Sequence, residues 1–305
     1  MAAGHGCFIV LVTSKPIPDE FAPGFIHRLG CVNFESSYLA MRDRLIEHFG
    51  LRLERNCDSQ ALALLAGRTE HDFYLNHTQF PIDFAYPDKR HKEHYRPGGA
   101  SAQQSTQPFR LNAPDALRFC TTCLEEQYRE HRFPFWHRAH QLPGMYWCPW
   151  HNQLLRQQGG TSRRNQLPAL ERAVSALPPD RAVHAQSYPA LRYFITVIVD
   201  GYAPGLFSAR RERFNTLRQR AAVLGVHIPS QENQPTVDQK RIGELALEML
   251  PAWWLEDLYG CSQKTLGKYL RRLDSVLAQE ASGSWPIGGA VVEALLATRA
   301  GIAPA

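Results

Sequence analysis

Four side chains constrain this chain more than any others: Cys120 and Cys123 in Cys120-Thr-Thr-Cys123, and Cys148 and His151 in Cys148-Pro-Trp-His151. Two ligand pairs, each separated by two residues and joined by a long loop, have the spacing of a tetrahedral Zn²⁺ site. Each pair is expected on a tight knuckle that aims both ligand atoms at one point. Thiolate and imidazole donors suit zinc, whereas Mg²⁺ and Ca²⁺ want oxygen. With all four positions filled by protein, the expectation is one closed, structural zinc ion without an open position for water. A redox dithiol at Cys120 and Cys123 would want a βαβ setting, and none surrounds it. A chance cysteine pair with no metal is the plainer alternative. His137 and His140 lie inside the loop and compete with His151 as fourth ligand. The two-residue spacing favours His151 and leaves the other two for hydrogen bonding in the core.

Between the pairs the chain reads Phe133-Pro-Phe-Trp136-His-Arg-Ala-His140-Gln-Leu-Pro143-Gly144-Met-Tyr-Trp147. So small a module has little core of its own, so these aromatics must provide most of its burial, with Pro143-Gly144 as the returning turn. The chain has 7 Cys, and the remaining ones (Cys7, Cys31, Cys57 and Cys261) are scattered singly. That is a poor disulfide framework and fits a reducing compartment. The longest apolar runs, Cys7 to Val12 and Phe194 to Val199, are too short for a secretion signal or a membrane span. A cytoplasmic protein without membrane contact is expected.

A length of 305 residues allows two or three compact units, and 44% hydrophobic with 21% charged residues is ordinary for a folded protein. Helical spacing dominates. Phe21, Phe25, Ile26 and Leu29 mark a first helix closed by Gly30. A second runs from about Glu35 to Phe49, with Gly50 as its stop. Ser59 to Ala66 and Thr69 to His77, joined at Gly67-Arg68, outline a helix-turn-helix. Pro97 to Pro108 is rich in Gly, Ser and Gln and reads as a linker. After a break at Gly159 to Asn165, helices are predicted over 169–177, 190–199, 208–224, 238–249, 253–259, 262–279 and 288–299. The chain thus divides into an N-terminal helical, helix-turn-helix-like unit (1–96), a linker (97–117), a small zinc-finger module (118–158) and a C-terminal helical domain with a second helix-turn-helix (159–305). The fold class is mainly α.

The central residues resemble those of the TniQ family, which includes the TnsD-type target selectors of transposons. Arg118-Phe119-Cys120, Cys123-Leu124-Glu125-Glu126, Phe135-Trp136, His140-Gln141-Leu142-Pro143-Gly144 and Cys148-Pro149-Trp150-His151 follow the family's zinc segment nearly throughout. Pro18-Asp19-Glu20 with Phe25-Ile26-His27-Arg28-Leu29 resembles its N-terminal opening. The stretches from Phe214 to Gly225 and from Leu250 to Leu255 resemble its C-terminal segments more weakly. Two departures stand out. Many members carry a second cysteine cluster, whereas here no Cys occurs between 149 and 260. The chain is also shorter than many TnsD-like members, which puts direct DNA reading at its C-terminal end in doubt.

The resemblance implies a protein that recognises a target location on DNA and recruits the AAA+ ATPase and transposase of the same element. Homodimer formation is left open. The best candidate DNA surface is C-terminal, with Leu255, Tyr259, Cys261, Leu266 and Tyr269 at buried positions around the Gly260 turn. Ser262 would cap a second helix that presents Gln263, Lys264, Lys268, Arg271 and Arg272. Gln263 would read base edges and the basic residues phosphate. Glu256, where such motifs usually carry a small residue, counts against it. A second surface is the helix from Ser208, crowded with Arg210, Arg211, Arg213, Arg218 and Arg220. For both helices the plainer reading is a solvated basic face. The N-terminal helix-turn-helix opens its second helix with Glu70 and Asp72, which would repel DNA, and so suits a protein or ribonucleoprotein interface.

Charge agrees without insisting: 34 Lys and Arg against 29 Asp and Glu leave +5. The sequence holds no GxxxxGK[ST], HExxH or GxSxG, and no enzymatic activity is expected. The remote exception is a metal-dependent nuclease, whose carboxylates converge only in the fold. The nearer alternative is an adaptor that links an RNA-guided CRISPR complex to the transposase with little direct DNA reading.

Overall fold

The structure, a computed structural model, describes residues 11–51, 57–78, 116–159, 166–200, 210–226, 239–278 and 286–302. Among them are twelve α-helices, two 3₁₀ turns and one small three-stranded sheet, so the mainly helical expectation holds.

The N-terminal helices are α1 (Ala22–Val32), α2 (Tyr38–His48), α3 (Cys57–Ala66) and α4 (Glu70–His77). Ser37 caps α2 by accepting from the Ala40 N–H, and Thr69 caps α4 by accepting from the Asp72 N–H. Phe25, Ile26, Leu29, Met41, Leu45, Leu62 and Phe73 close one core between them. Gly30 does not end α1. It is buried inside the helix, which runs on to Val32 and is capped by Asn33, whose side-chain amide donates to Leu29 O.

The sheet closes the central loop. β1 (Ala116–Phe119) leads into Cys120, and β2 (Arg156–Gly159) leaves from Leu155; they pair antiparallel with Phe119 opposite Arg156. The expected linker therefore gives its last two residues to β1, while Pro97 to Pro108 lies outside the described residues. β3 (Val174–Ser175) adds to β2 across the break at 159, pairing Gln157 with Val174. The helix predicted over 169–177 does not form. Leu170–Arg172 makes one 3₁₀ turn and the chain then extends, because a strand edge is waiting and β-branched Val174 suits it.

Helix α5 (Thr121–His131) follows Cys120, and seven more helices come after the sheet: α6 (Pro179–Gln186), α7 (Pro189–Asp200), α8 (Arg210–Val223), α9 (Gln239–Met249), α10 (Ala252–Tyr259), α11 (Gln263–Ala278) and α12 (Pro286–Arg299). Helix α6, opened by Pro178-Pro179, was not anticipated. Phe194, Trp254, Leu273 and Leu295 belong to one continuous core with Cys120, Cys148 and Leu155, while Leu117, Phe119, Leu124 and Trp136 close a second, smaller cluster with Phe21. Gly144 shows how tight that junction is. Its φ is +72°, a Cβ there would lie 2.8 Å from the Trp254 ring, and the Trp254 indole donates to its carbonyl at 3.0 Å.

The N-terminal unit is seated on the same loop from the other side. Phe21 N–H donates to Trp136 O at 2.7 Å and Arg138 N–H to Asp19 O at 2.8 Å. Gly24 lies so close to Trp136 that a Cβ would meet its side chain at 2.8 Å. Beneath, Glu20 and Arg28 form a buried bidentate pair at 2.7 and 2.8 Å.

Candidate metal centre

Cys120, Cys123, Cys148 and His151 converge, with all their ligand atoms within 4.8 Å of one another. The first pair departs from the expected knuckle. Cys120 is the extended residue capping α5 and Cys123 sits in that helix's first turn, so the helix start aims both thiols. The second pair is a true knuckle: Asn152 N–H donates back to Cys148 O at 2.9 Å, and Asn152 takes a φ of +50° to turn the chain. The two are fastened by Gln153. Its backbone carbonyl accepts from Cys148 N–H, and its side-chain oxygen accepts from the Thr121 and Thr122 hydroxyls at 3.1 and 3.0 Å. No spacing rule marks Gln153, and the sequence reading passed over it.

The separations test whether an ion fits. Cys123 Sγ is 3.6 Å from Cys148 Sγ, and His151 Nδ1 is 3.6, 3.3 and 3.5 Å from the sulfurs of Cys120, Cys123 and Cys148. Ligands about 2.0–2.3 Å from one ion at tetrahedral angles stand roughly 3.5–3.8 Å apart, so the cluster has the dimensions of a four-coordinate metal site. Charge points the same way. Hydrogen bonds from Cys123 and Cys148 hold the Cys120 thiol far below the usual range, and sharing with Cys120 pushes the Cys123 thiol up. One thiolate is thus favoured and further ones are opposed, a conflict that a bound dication removes.

His151 turns its other ring nitrogen, Nε2, to Glu126 Oε1 at 3.3 Å, the usual arrangement for orienting a ligating imidazole. The competing histidines are not among the four converging residues, although His140 borders them. His137 Nδ1 faces Asp19 at 3.3 Å. His140 is fully buried, with Nε2 3.9 Å from Cys123 Sγ and no partner on Nδ1. Burial pushes its pKa down to about 3, so it stays neutral.

The candidate DNA residues are distributed unevenly. Gln263, Lys264, Lys268 and Arg271 are exposed on α11, which follows α10 across a left-handed Gly260. Leu255, Tyr259 and Leu266 are buried as the motif requires, with Cys261 and Tyr269 half-buried. Ser262 caps α11 by a route other than its hydroxyl alone: its N–H donates to Thr265 Oγ1 at 3.2 Å, while its carbonyl receives Leu266 N–H. Arg210, Arg211 and Arg213 lie on α8 and Arg272 on α11, but their side chains fall outside the described ones. Arg218 is half-buried and donates to Leu277 O at 3.3 Å, joining α8 to the last turn of α11, and Arg220 is half-buried as well. Among the described residues no helix is long and apolar enough to cross a membrane.

The TniQ family model matches residues 11–155, from the strap before α1 to the end of the metal knuckle. No curated protein matches the chain. The matched span takes in both the clasp of Asp19 and Glu20 on the central loop and all four convergent ligands. Residues 11–155 therefore form a TniQ-family domain, and the protein is transposition-associated.

Proposed function

We propose that this protein is a target-site selection factor for DNA transposition, binding DNA through α10 and α11 and recruiting an AAA+ ATPase and transposase through its TniQ half. One observation carries this reading. The three cysteines of the centre lie in the same core as the C-terminal helix-turn-helix, whose second helix exposes Gln263, Lys264, Lys268 and Arg271 on one side. A recruiting domain and a DNA-reading helix would thus be packed on one shared core, which suits coupling a location to a partner. The ion proposed for the centre is a single Zn²⁺ held by Cys120, Cys123, Cys148 and His151, with a purely structural role.

Support for a protein-binding role comes from the N-terminal unit. Phe34 is 96% exposed at the α1–α2 turn, between half-exposed Val32 and Leu39, on a φ of +59°. The turn is not loose: Asn33 bonds to both backbone groups of Val12, and Glu35 pairs with Arg44 at 2.8 Å. A bulky aromatic held outward on a braced turn suits docking into a partner's apolar pocket.

The test is binding of purified, metal-loaded protein to the element's target duplex across a salt series, alongside capture of the ATPase. Steep salt dependence on a defined duplex supports direct reading. Weak DNA binding with firm capture of a guide-RNA ribonucleoprotein supports the adaptor reading instead. Divalent-metal-dependent cleavage of the duplex would revive the nuclease.

A further inference from the structure

Three arginines are buried among the described residues: Arg28, Arg118 and Arg138. Two of them carry a carboxylate. Arg28 is paired with Glu20 at 2.7 Å, and Arg138 with Asp19 at 3.0 Å. Arg118 is different. Its terminal amino groups donate to the backbone carbonyls of Met145 and Leu142, its guanidinium carbon lies 5.3 Å over the Tyr146 ring, and its Nε is buried with no acceptor. No carboxylate is within ion-pairing distance of it among the described residues. A cation taken out of water with neutral neighbours only is costly, and such groups persist where a negative charge is close by.

The metal centre is the candidate source of that charge, because Cys120 and Cys148 share one core with Leu142 and Met145, whose carbonyls hold the guanidinium. Three thiolates and one neutral imidazole around a dication leave one negative charge in excess. Arg118 lies two residues before Cys120 on an extended stretch, so both side chains leave the same face of the chain. The carbonyls that hold its guanidinium belong to the turn that delivers Cys148. Two carboxylates lie in the neighbourhood, Glu126 on His151 and Asp257 on the Tyr146 hydroxyl at 3.4 Å, but both are open to water, which screens them. We infer that Arg118 is the buried counter-cation of the metal centre, a positioning residue that balances the excess thiolate charge when the ion is bound.

This rests on the metal reading, and the experiment separates the two. Zinc affinity is measured by competition with a chromophoric chelator in the full-length protein, native and Arg118→Gln, and again with both forms carrying His151→Cys. That ligand change converts the site to four thiolates and adds one more negative charge, at the one ligand whose side chain is partly exposed. Charge balance predicts that Arg118→Gln weakens zinc binding by about tenfold in the native site and by clearly more in the four-thiolate site. Equal factors in the two backgrounds would mean that Arg118 only props the Leu142–Met145 turn, and the assignment would fall. Should Arg118→Gln not fold, Arg118→Lys decides: it keeps the charge but cannot serve both carbonyls, so affinity within a few fold of native supports the assignment and a tenfold loss overturns it. Native protein that holds no stoichiometric metal overturns the metal reading and this one together.

Discussion

Asp19 Oδ1 accepts a hydrogen bond from Arg138 Nε at 3.0 Å, although 119 residues separate them in the chain. Asp19 also takes a φ of +59°, and its other oxygen faces His137 Nδ1 at 3.3 Å. Burial alone would raise this carboxyl, but the His137 hydrogen bond and the Arg138 charge hold it below the ordinary value. This is the clasp that seats the N-terminal helices on the metal loop. Asp19→Ala removes the partner of a buried guanidinium and strains the left-handed backbone, so a loss of about 3 kcal/mol is expected. Asp19→Asn, which tolerates that φ, should lose clearly less. Denaturant unfolding of the two variants checks the order.

Metal removal should loosen both halves, because Cys120, Cys123 and Cys148 lie in the core shared with the C-terminal helices. Cys148→Ser is expected to release the ion and lower stability by more than about 3 kcal/mol. Tryptophan fluorescence should report it, since Trp254 packs on Gly144 within the loop that ends at Cys148. Unchanged fluorescence and unfolding midpoint on chelation would rule out a structural ion.

On α11, Lys264→Glu with Lys268→Glu should weaken binding to all duplexes alike and reduce the salt slope by about 1 for each phosphate no longer neutralised. Gln263→Ala should instead relax sequence preference, by about 1–3 kcal/mol at one base pair. Filter binding at several salt concentrations separates the two effects. Charge reversal of Arg210, Arg211 and Arg213 should cut DNA binding strongly if the protein reads DNA itself and hardly at all if it rides on a ribonucleoprotein.

Phe34 offers a test in which stability and function move in opposite directions. Phe34→Gly relieves a left-handed backbone and gives up almost no packing, so stability should rise by about 0.5–1 kcal/mol. Capture of the partner should fall. Retained capture would remove Phe34 from the interface.

His77 introduces a pH dependence unrelated to the metal. It is buried in α4, with Nδ1 donating to Glu20 O at 2.9 Å, and burial lowers its pKa from 6.5 to about 4. The folded state therefore favours the neutral ring. The contribution is complete above pH 6.5 and is lost as pH falls towards 4, about 2 kcal/mol of it between pH 7 and pH 5. His77→Gln should flatten that part of the stability profile.

Much of this fold was legible before any coordinates. Helical periodicity placed most of the helices to within a few residues, and the two-residue spacings marked the four residues that converge, because both signals are local. Where the reading failed, a distant segment intervened. The stretch at 169–177 became a turn and a strand because the edge of β2 was open to it. Gly30 stayed inside a helix because Asn33 found Val12. Gln153 was invisible, since its importance lies in the two hydroxyls its side chain meets.

The amino-acid order by itself determined that two Cys/His pairs would carry the spacing of a metal site and that most of the chain would be helical, since each property needs only neighbours a few residues apart. Only the tertiary structure decided that Asp19 would answer Arg138, that Gly144 would lie against Trp254, and that Arg118 would be buried with no carboxylate in pairing distance among the described residues. Those depend on which surfaces exclude water together, and burial is a property of the packed whole that no short stretch of chain contains.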